Sequence, residues 1–490
     1  MERRLVLLGV DVGTTNVKAC AYDEEGRLLH CAKRPMPTRR LRGGGAEYEA
    51  RGLERVVFEA VREVIEESGP PEAIGISSMA ESGFLIGREG NPLSPAIAWF
   101  DQRTIPQANR WKERLPALEL FIRTGLRSTP LSTASKLEWV RENEPDVWKE
   151  SHAWLGMAEY LVFRMTGERV TDPSLACRTM LFDVVQGEWD EELCALAGVP
   201  AEMLPPVYQA GATPGKLSQE TARTLSVPDG IPVAVCGHDH VCGAFGAGAA
   251  SPGDVLDSIG TAEACLLTLV EPPLNEAGYE LGLPVGCHVT PGLFYIGATL
   301  QESGGMVGWL LDLLEGDKRD LARWTEDAGS LSPGGGGVCL PALGEADGGL
   351  VFSSLGKESR AGHLLRAALE GLTLEVQFQL EQALKATGAS PEAMTLVGGG
   401  ARNSFWSQLK ADASNLPVRV VEEPECVAPG AALLAGIGAG VFPNAESVPG
   451  ASSIRATLEP SGNHAEYERL YREVHRPLRE HVRRARPAGA

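Results

Sequence analysis

Apolar runs broken by glycine turns dominate the pattern of this chain, and one such unit occurs twice. The first copy is Leu8-Gly9-Val10-Asp11-Val12-Gly13-Thr14-Thr15-Asn16-Val17-Lys18. The second, weaker copy is Leu256-Asp257-Ser258-Ile259-Gly260-Thr261-Ala262-Glu263-Ala264. With Gly13 laid on Gly260 and Thr14 on Thr261, an apolar residue precedes each Gly-Thr pair. Each copy predicts a buried strand that enters a tight turn and returns as a second strand, Ala19 to Tyr22 and Cys265 to Leu269. A 3.6-residue period predicts helices over Leu53 to Glu67 and Leu364 to Ala386. Short apolar runs predict strands at Ala73 to Ser77, Phe84 to Ile86, Ile231 to Cys236 and Met394 to Val397. Residues 104–200 read as mostly helical, with Ser132-Thr133 as a capping signal before Ala134 to Arg141. Gly43-Gly44-Gly45 marks an exposed loop. The Gly- and Ala-rich stretch Val241 to Ala250 predicts a closely packed helix, ending at a lobe boundary near Ser251-Pro252-Gly253.

A glycine turn flanked by threonine hydroxyls lets backbone N–H groups approach a phosphate with no Cβ in the way. Two such turns, one per half, suggest two related lobes gripping one polyphosphate. Asp11 is matched by Ser258, so only the first turn carries a carboxylate suited to a phosphate-bound magnesium ion. A turn-closing bond to its own backbone is the other reading of Asp11. Neither turn has the GxxxxGK[ST] spacing of a P-loop.

Composition narrows the class. A chain of 490 residues, 43% hydrophobic and 22% charged, reads as a globular protein of two or three domains. A formal charge of −20 argues against nucleic acid or an anionic membrane as partner, since both need a basic surface. No apolar run approaches the about 20 residues that span a bilayer, and no leader-like segment precedes the first strand. Ten cysteines without a CxxC pair speak against zinc or a disulfide framework, and thiols in a reducing cytoplasm are the expectation.

Six ordered motifs carry a resemblance. Asp11–Ala19, Ile259-Gly260-Thr261, Ala96–Arg103, Thr133–Trp139 with Met165-Thr166-Gly167, His363–Gly371, and Gly398–Asn403 with Ala428–Ala432 are similar to motifs of the FGGY family of carbohydrate kinases. That resemblance implies an α/β fold of two RNase H-like (actin/hexokinase-like) lobes with an interlobe active-site cleft that closes to exclude water. It implies an N-terminal lobe over residues 1–250, a nucleotide-binding lobe over 251–482 and a basic, flexible tail over 483–490. The chain departs from the family at three places. Ser354 stands where a glycine is usual, the segment Pro341 to Gly349 looks shortened, and the loop Ser78 to Gly83 is neither the Gln-Met-His-Gly of xylulokinases nor the Gln-Arg-Glu-Thr of glycerol kinases.

Carried onto this chain, the resemblance implies ATP with Mg²⁺ and phosphorylation of a small sugar or polyol, foremost a ketopentose such as xylulose. Glycerol, erythritol, fuculose or autoinducer-2 are alternative acceptors, and a non-catalytic nucleotide-gated sugar sensor is the alternative class. Asp239 is the expected general base, a helix N-cap being its structural alternative. Asp11 and Asp239 are the expected metal-side carboxylates. Gly13, Thr14, Thr15, Lys18, Gly260, Thr261, Gly304, Gly399, Gly400, Ala401 and Asn403 are expected on the nucleotide, with capping of the next helix as the other reading of Asn403. Glu81, Trp99, Asp101, Arg103 and His238 are expected on the acceptor, where carboxylates fix hydroxyls and an aromatic face covers C–H groups. Core packing for Trp99 and a loop-supporting ion pair for Asp101 with Arg103 remain open. A metal held by His238 and His240 is a weak reading of their spacing. A homodimer is compatible with the chain, though no stretch specifies an interface.

Overall fold

The computed structural model describes residues 4–42, 44–341, 350–423, 425–449 and 453–485. Gly43 of the expected glycine loop, residues 342–349 of the shortened segment and residues 486–490 of the expected tail lie outside the described residues. Residues 483–485 of that tail close a helix, Arg476–Ala485.

The chain divides into two compact units. One comprises Met1–Pro252, Leu269–Tyr295 and Glu425–Ser452, and the other comprises Gly253–Thr268, Ile296–Pro424 and Ser453–Ala490. Two segments that the sequence reading assigned to the second lobe, 269–295 and 425–452, therefore belong to the first unit. Glycine makes the second of these possible. A Cβ on Gly9 would lie 1.8 Å from the Ala428 carbonyl oxygen, and one on Gly75 would lie 2.0 Å from that of Ala431. The helix Val427–Gly438 thus seats its backbone directly on the strands Leu7–Val12 and Ala73–Ser78. Its residues Ala428 to Gly436 are buried, so this motif packs within the first unit.

In the first unit a six-stranded sheet runs in the order Gly215–Lys216, Pro232–His238, Ala73–Ser78, Leu7–Val12, Asn16–Tyr22, Leu28–Pro35. Leu7–Val12 pairs antiparallel with Asn16–Tyr22 and parallel with Ala73–Ser78, which pairs parallel with Pro232–His238. The amphipathic helix Ala50–Ser68 buries Leu53, Val57, Ala60, Val61 and Val64 in the core that also holds Val10, Val17, Ala19 and Ile76. Each such aliphatic side chain contributes about 1.5–3 kcal/mol on burial. The second unit repeats the plan. Val255–Ile259 pairs antiparallel with Glu263–Leu269 and parallel with Met394–Val397, which pairs parallel with Val418–Val421. In both units the hairpin carries the Gly-Thr turn at its tip.

One expectation is corrected outright. Cys20 and Cys31 face each other in the register of two antiparallel strands, their Cα atoms 4.1 Å apart, and form a disulfide. Strand pairing supplied the closeness that a spacing of 11 residues concealed. The other eight cysteines are buried and outside any disulfide. No helix among the described residues is long and apolar enough to cross a membrane.

Candidate active site

The first unit gathers its charges around the end of Leu7–Val12. Asp11 is 6% exposed and sits opposite Lys18 in the hairpin register. Lys18 Nζ donates to Asp11 Oδ2 at 3.2 Å and also to Glu425. Burial pushes the Asp11 carboxyl up to about 6, with Lys18 opposing and the Asp239 charge adding to the rise. Burial alone would lower Lys18, but Asp11 and Glu425 outweigh it and hold the ammonium charged. A buried carboxylate that feels a second carboxylate is poised for a hard cation. The oxygen donors of Asp11 and Asp239 fit Mg²⁺ by their chemistry.

Asp239 owes its position to a break in strand regularity. The pairing of Pro232–His238 shifts register between Val235 and His238. Gly237 there has φ +89°, and a Cβ on it would meet Val289 and Ser174. Such a bulge re-aims the residues that follow it. Ser77 Oγ donates to the Gly237 carbonyl at 2.8 Å, and the His238 N–H donates to Ser174 Oγ at 2.9 Å. Ser174 Oγ in turn donates to Asp172 Oδ2 at 2.7 Å. Asp239 then opens the helix Asp239–Gly246 as its first residue, with His238 at the cap position. Its Oδ1 accepts from the His240 N–H at 2.7 Å, and its side chain is 21% exposed. Burial raises its pKa, Glu81 adds to the rise, and His240 and Lys18 oppose it. His238 Nε2 lies 3.2 Å from Asp239 Oδ1, while burial, His240 and Arg178 keep that imidazole neutral. Ligand atoms of His238, Asp239 and His240 lie within 4.8 Å of one another, so the histidine spacing read as weak does gather a cation-sized cluster.

Glu81 lies between the strands Ala73–Ser78 and Gly83–Ile86 with φ +60°, a left-handed conformation that costs a residue with a side chain about 1–3 kcal/mol. Two cations hold it there. Lys136 Nζ donates to the Glu81 carbonyl at 2.8 Å and to the Trp99 carbonyl at 3.3 Å. Arg178 Nε donates to Glu81 Oε1 at 2.8 Å, and its Nη2 lies 2.6 Å from the same oxygen. Burial lowers Lys136 to about 7, opposed by Glu81 and Asp101. Sequence reading missed Arg178 and gave Lys136 no role. The available signal was a lone cation in an apolar run, Ala176-Cys177-Arg178-Thr179-Met180, which must find a buried partner.

Trp99 takes its core-packing reading. It packs on the core and on Phe100, with ring centroids 5.5 Å apart, and its Nε1 donates to Thr14 Oγ1 at 2.9 Å. The segment Ala96–Arg103 is thereby tied to the first glycine turn. Asp101 and Arg103 are committed elsewhere. Asp101 accepts from the Ala46 N–H at 2.8 Å and from Arg103 Nε and Nη2 at 3.0 and 2.7 Å, and Arg103 also reaches Glu47. Their geometry is that of a loop-supporting pair.

In the second unit the turn at Gly260 and Thr261 is backed by the start of the helix Gly304–Leu313. Ser303 and Gly305 N–H donate to the Thr261 carbonyl, and Gly304 N–H donates to that of Gly260 at 3.0 Å. A Cβ on Gly304 would lie 2.4 Å from the Gly260 oxygen, so this glycine serves the turn's own packing. Gly398 (φ +85°) and Gly400 fold against Ile259, whereas Gly399 faces open space. Ala401 is buried. Asn403 caps the helix Ser404–Ser414, its Oδ1 accepting from the Trp406 N–H at 3.1 Å. Beneath the turn, Lys410 pairs with Asp257 at 2.8 Å and with Glu263, and Ser303 Oγ donates to Glu263 at 2.5 Å, all four groups buried.

Comparison with known proteins places this geometry. Residues 6–246 match the N-terminal domain, and residues 256–439 the C-terminal domain, of the FGGY family of carbohydrate kinases. The chain is 28% identical over 445 residues to the L-fuculokinase of Escherichia coli K12, covering 90% of this chain and 94% of the relative. It is 30% identical over 472 residues to a glycerol kinase of Aromatoleum aromaticum, covering 90% and 92%. The solved structure of a xylulose kinase from Rhodospirillum rubrum superposes with a TM-score of 0.89 at 27% identity, covering 98% of this chain and 99% of the other. The expected two-lobe α/β architecture is thus the architecture of this chain.

Proposed function

The chain belongs to the FGGY family of carbohydrate kinases and is an ATP-using carbohydrate kinase, and from that premise we propose a reaction in which Asp239 is the general base and a ketopentose such as xylulose is the acceptor. The acceptor hydroxyl gives its proton to the Asp239 carboxylate as its oxygen bonds to the γ-phosphorus. The bond from that phosphorus to the β–γ bridging oxygen breaks, and ADP leaves. Burial makes Asp239 a stronger base than an ordinary surface carboxylate, closer to the operating pH that favours proton transfer. The observation that carries the reading is the mounting of Asp239 on a glycine bulge, held through Ser174 and Asp172, within electrostatic reach of Asp11, Lys18 and Glu81.

Asp11 and Asp239 would hold Mg²⁺, which supplies neutralisation of phosphate charge when bound. Gly13, Thr14, Thr15 and Lys18 would face the transferred phosphate. Gly260, Thr261, Gly399 and Gly400 would line the nucleotide. Glu81, His238 and Trp99 would address the acceptor.

The test is coupled ADP release with ATP and Mg²⁺ across xylulose, L-fuculose, erythritol, glycerol, autoinducer-2 and sugar acids. Turnover of xylulose well above the others supports the reading. Preference for another acceptor replaces the ketopentose, and silence across the panel favours the sensor alternative.

A further inference from the structure

We propose that Arg178 selects the acceptor. It holds Glu81 so that the pair addresses two adjacent hydroxyls of an uncharged sugar or polyol and disfavours acidic ones. The inference rests on the kinase reading above and deepens it.

Arg178 is rigidly mounted. It lies in the short turn Cys177–Thr179, which follows the helical turn Pro173–Ala176 capped by Asp172. Both flanking residues are buried, and the guanidinium side chain is 19% exposed. Its Nη1 reaches the Tyr295 hydroxyl at 3.4 Å, and the Tyr295 ring rests on Gly286, where a Cβ would come within 2.7 Å of it. Arg178 spends Nε and Nη2 on one oxygen of Glu81, Oε1. The structure shows no side-chain bond from the described residues to Oε2. Glu81 Oε2, an acceptor, therefore stands beside a guanidinium whose Nη groups carry N–H bonds beyond those directed at Glu81 Oε1 and Tyr295. A vicinal pair of hydroxyls, each able to donate and accept, matches that edge.

Charge decides against an acid. The Arg178 cation is already balanced by Glu81, and Asp239 brings a further carboxylate within electrostatic reach. Lys136 is engaged by two backbone carbonyls, and Lys18 by Asp11 and Glu425. A carboxylate on the acceptor would meet Glu81 and Asp239 with no uncommitted cation among these residues, and like-charge juxtaposition is strongly unfavourable.

The test measures KM and kcat for xylulose, L-fuculose, glycerol and gluconate in the wild type, Arg178→Met, Arg178→Lys, Glu81→Gln and Tyr295→Phe. We expect wild-type kcat/KM for the best neutral acceptor to exceed that for gluconate by about 100-fold or more. Arg178→Met should raise the neutral acceptor's KM about tenfold or more while the KM for ATP stays within about twofold, a split that general misfolding does not give. Arg178→Lys should recover part of the loss, and Tyr295→Phe should cost about two- to threefold. Combining Arg178→Met with Glu81→Gln should be no worse than the poorer single variant. An unchanged acceptor KM in Arg178→Met overturns the inference while leaving the kinase reading intact, as does a wild-type preference for gluconate. A parallel collapse of kcat and both KM values, with loss of the wild-type melting transition, makes Arg178 structural and also overturns it. Wild-type silence on every acceptor overturns the kinase reading itself and this inference with it.

Discussion

The two glycine turns share a topology and differ by one register position in where they keep charge. In the first hairpin buried Asp11 faces half-buried Lys18, which also pairs with exposed Glu425. In the second the equivalent pair is Ser258 with Ala264, neutral and without a carboxylate. The charge has moved one residue back to Asp257, which a strand must point to the opposite face. There it is sealed with Glu263 and Lys410, every side chain at most 2% exposed. Burial raises the Asp257 pKa, Glu263 adds to the rise and Lys410 opposes it. One hairpin thus keeps a titratable carboxylate beside its turn, and the other uses buried charge to fix the shape of its turn.

Breaking each arrangement should give opposite losses. Lys410→Met leaves two buried carboxylates uncompensated and should destabilise the protein by about 3–5 kcal/mol in denaturant unfolding. Lys18→Met breaks a pair with Glu425, whose side chain is 55% exposed, and leaves buried Asp11 without its cation, and should cost about 1–3 kcal/mol. For catalysis the order reverses. Asp11→Asn should lower kcat/KM by about 10²–10³-fold and weaken the dependence on Mg²⁺, measured by titrating the cation, whereas Ser258→Ala should stay within about threefold. Similar effects of the two would mean that both turns face the reacting phosphate alike.

The acceptor loop sharpens the comparison through pH. Lys136 has its pKa lowered to about 7, so it is an ammonium below that value and loses its charge as pH rises through it. Its charge-assisted bonds to the Glu81 and Trp99 carbonyls weaken in the same interval. The acceptor KM should therefore rise about three- to tenfold between about pH 6 and 8.5, and Lys136→Met should flatten the profile. The smallest effect concerns backbone alone. Ser354 has φ +61°, in the conformation where the family resemblance led us to expect glycine, and Ser354→Gly should stabilise by up to about 1 kcal/mol in thermal melts.

The repeated hairpin was legible because a glycine turn between apolar runs has few other readings. The strand at Met394–Val397 falls where the pattern puts it, and the helix predicted over Leu53 to Glu67 spans Ala50–Ser68. Asn403 turned out to cap its helix, the alternative the sequence kept open. What escaped depends on partners distant in sequence. Arg178 meets Glu81 across 97 residues, and Gly9 matters for where Ala428 comes to rest. Cys20 and Cys31 meet through strand register, which composition does not encode. The return of 269–295 and 425–452 to the first unit has the same origin, since backbone-to-backbone seating leaves no periodic signal.

The central claim is that Asp239 takes the acceptor proton. Single-turnover phosphoryl transfer by Asp239→Asn, measured beside ATP affinity on the same protein, tests it most directly. The account predicts a rate about 10²–10⁴-fold lower with ATP affinity unchanged within about threefold. A transfer rate within about threefold of the wild type would contradict it.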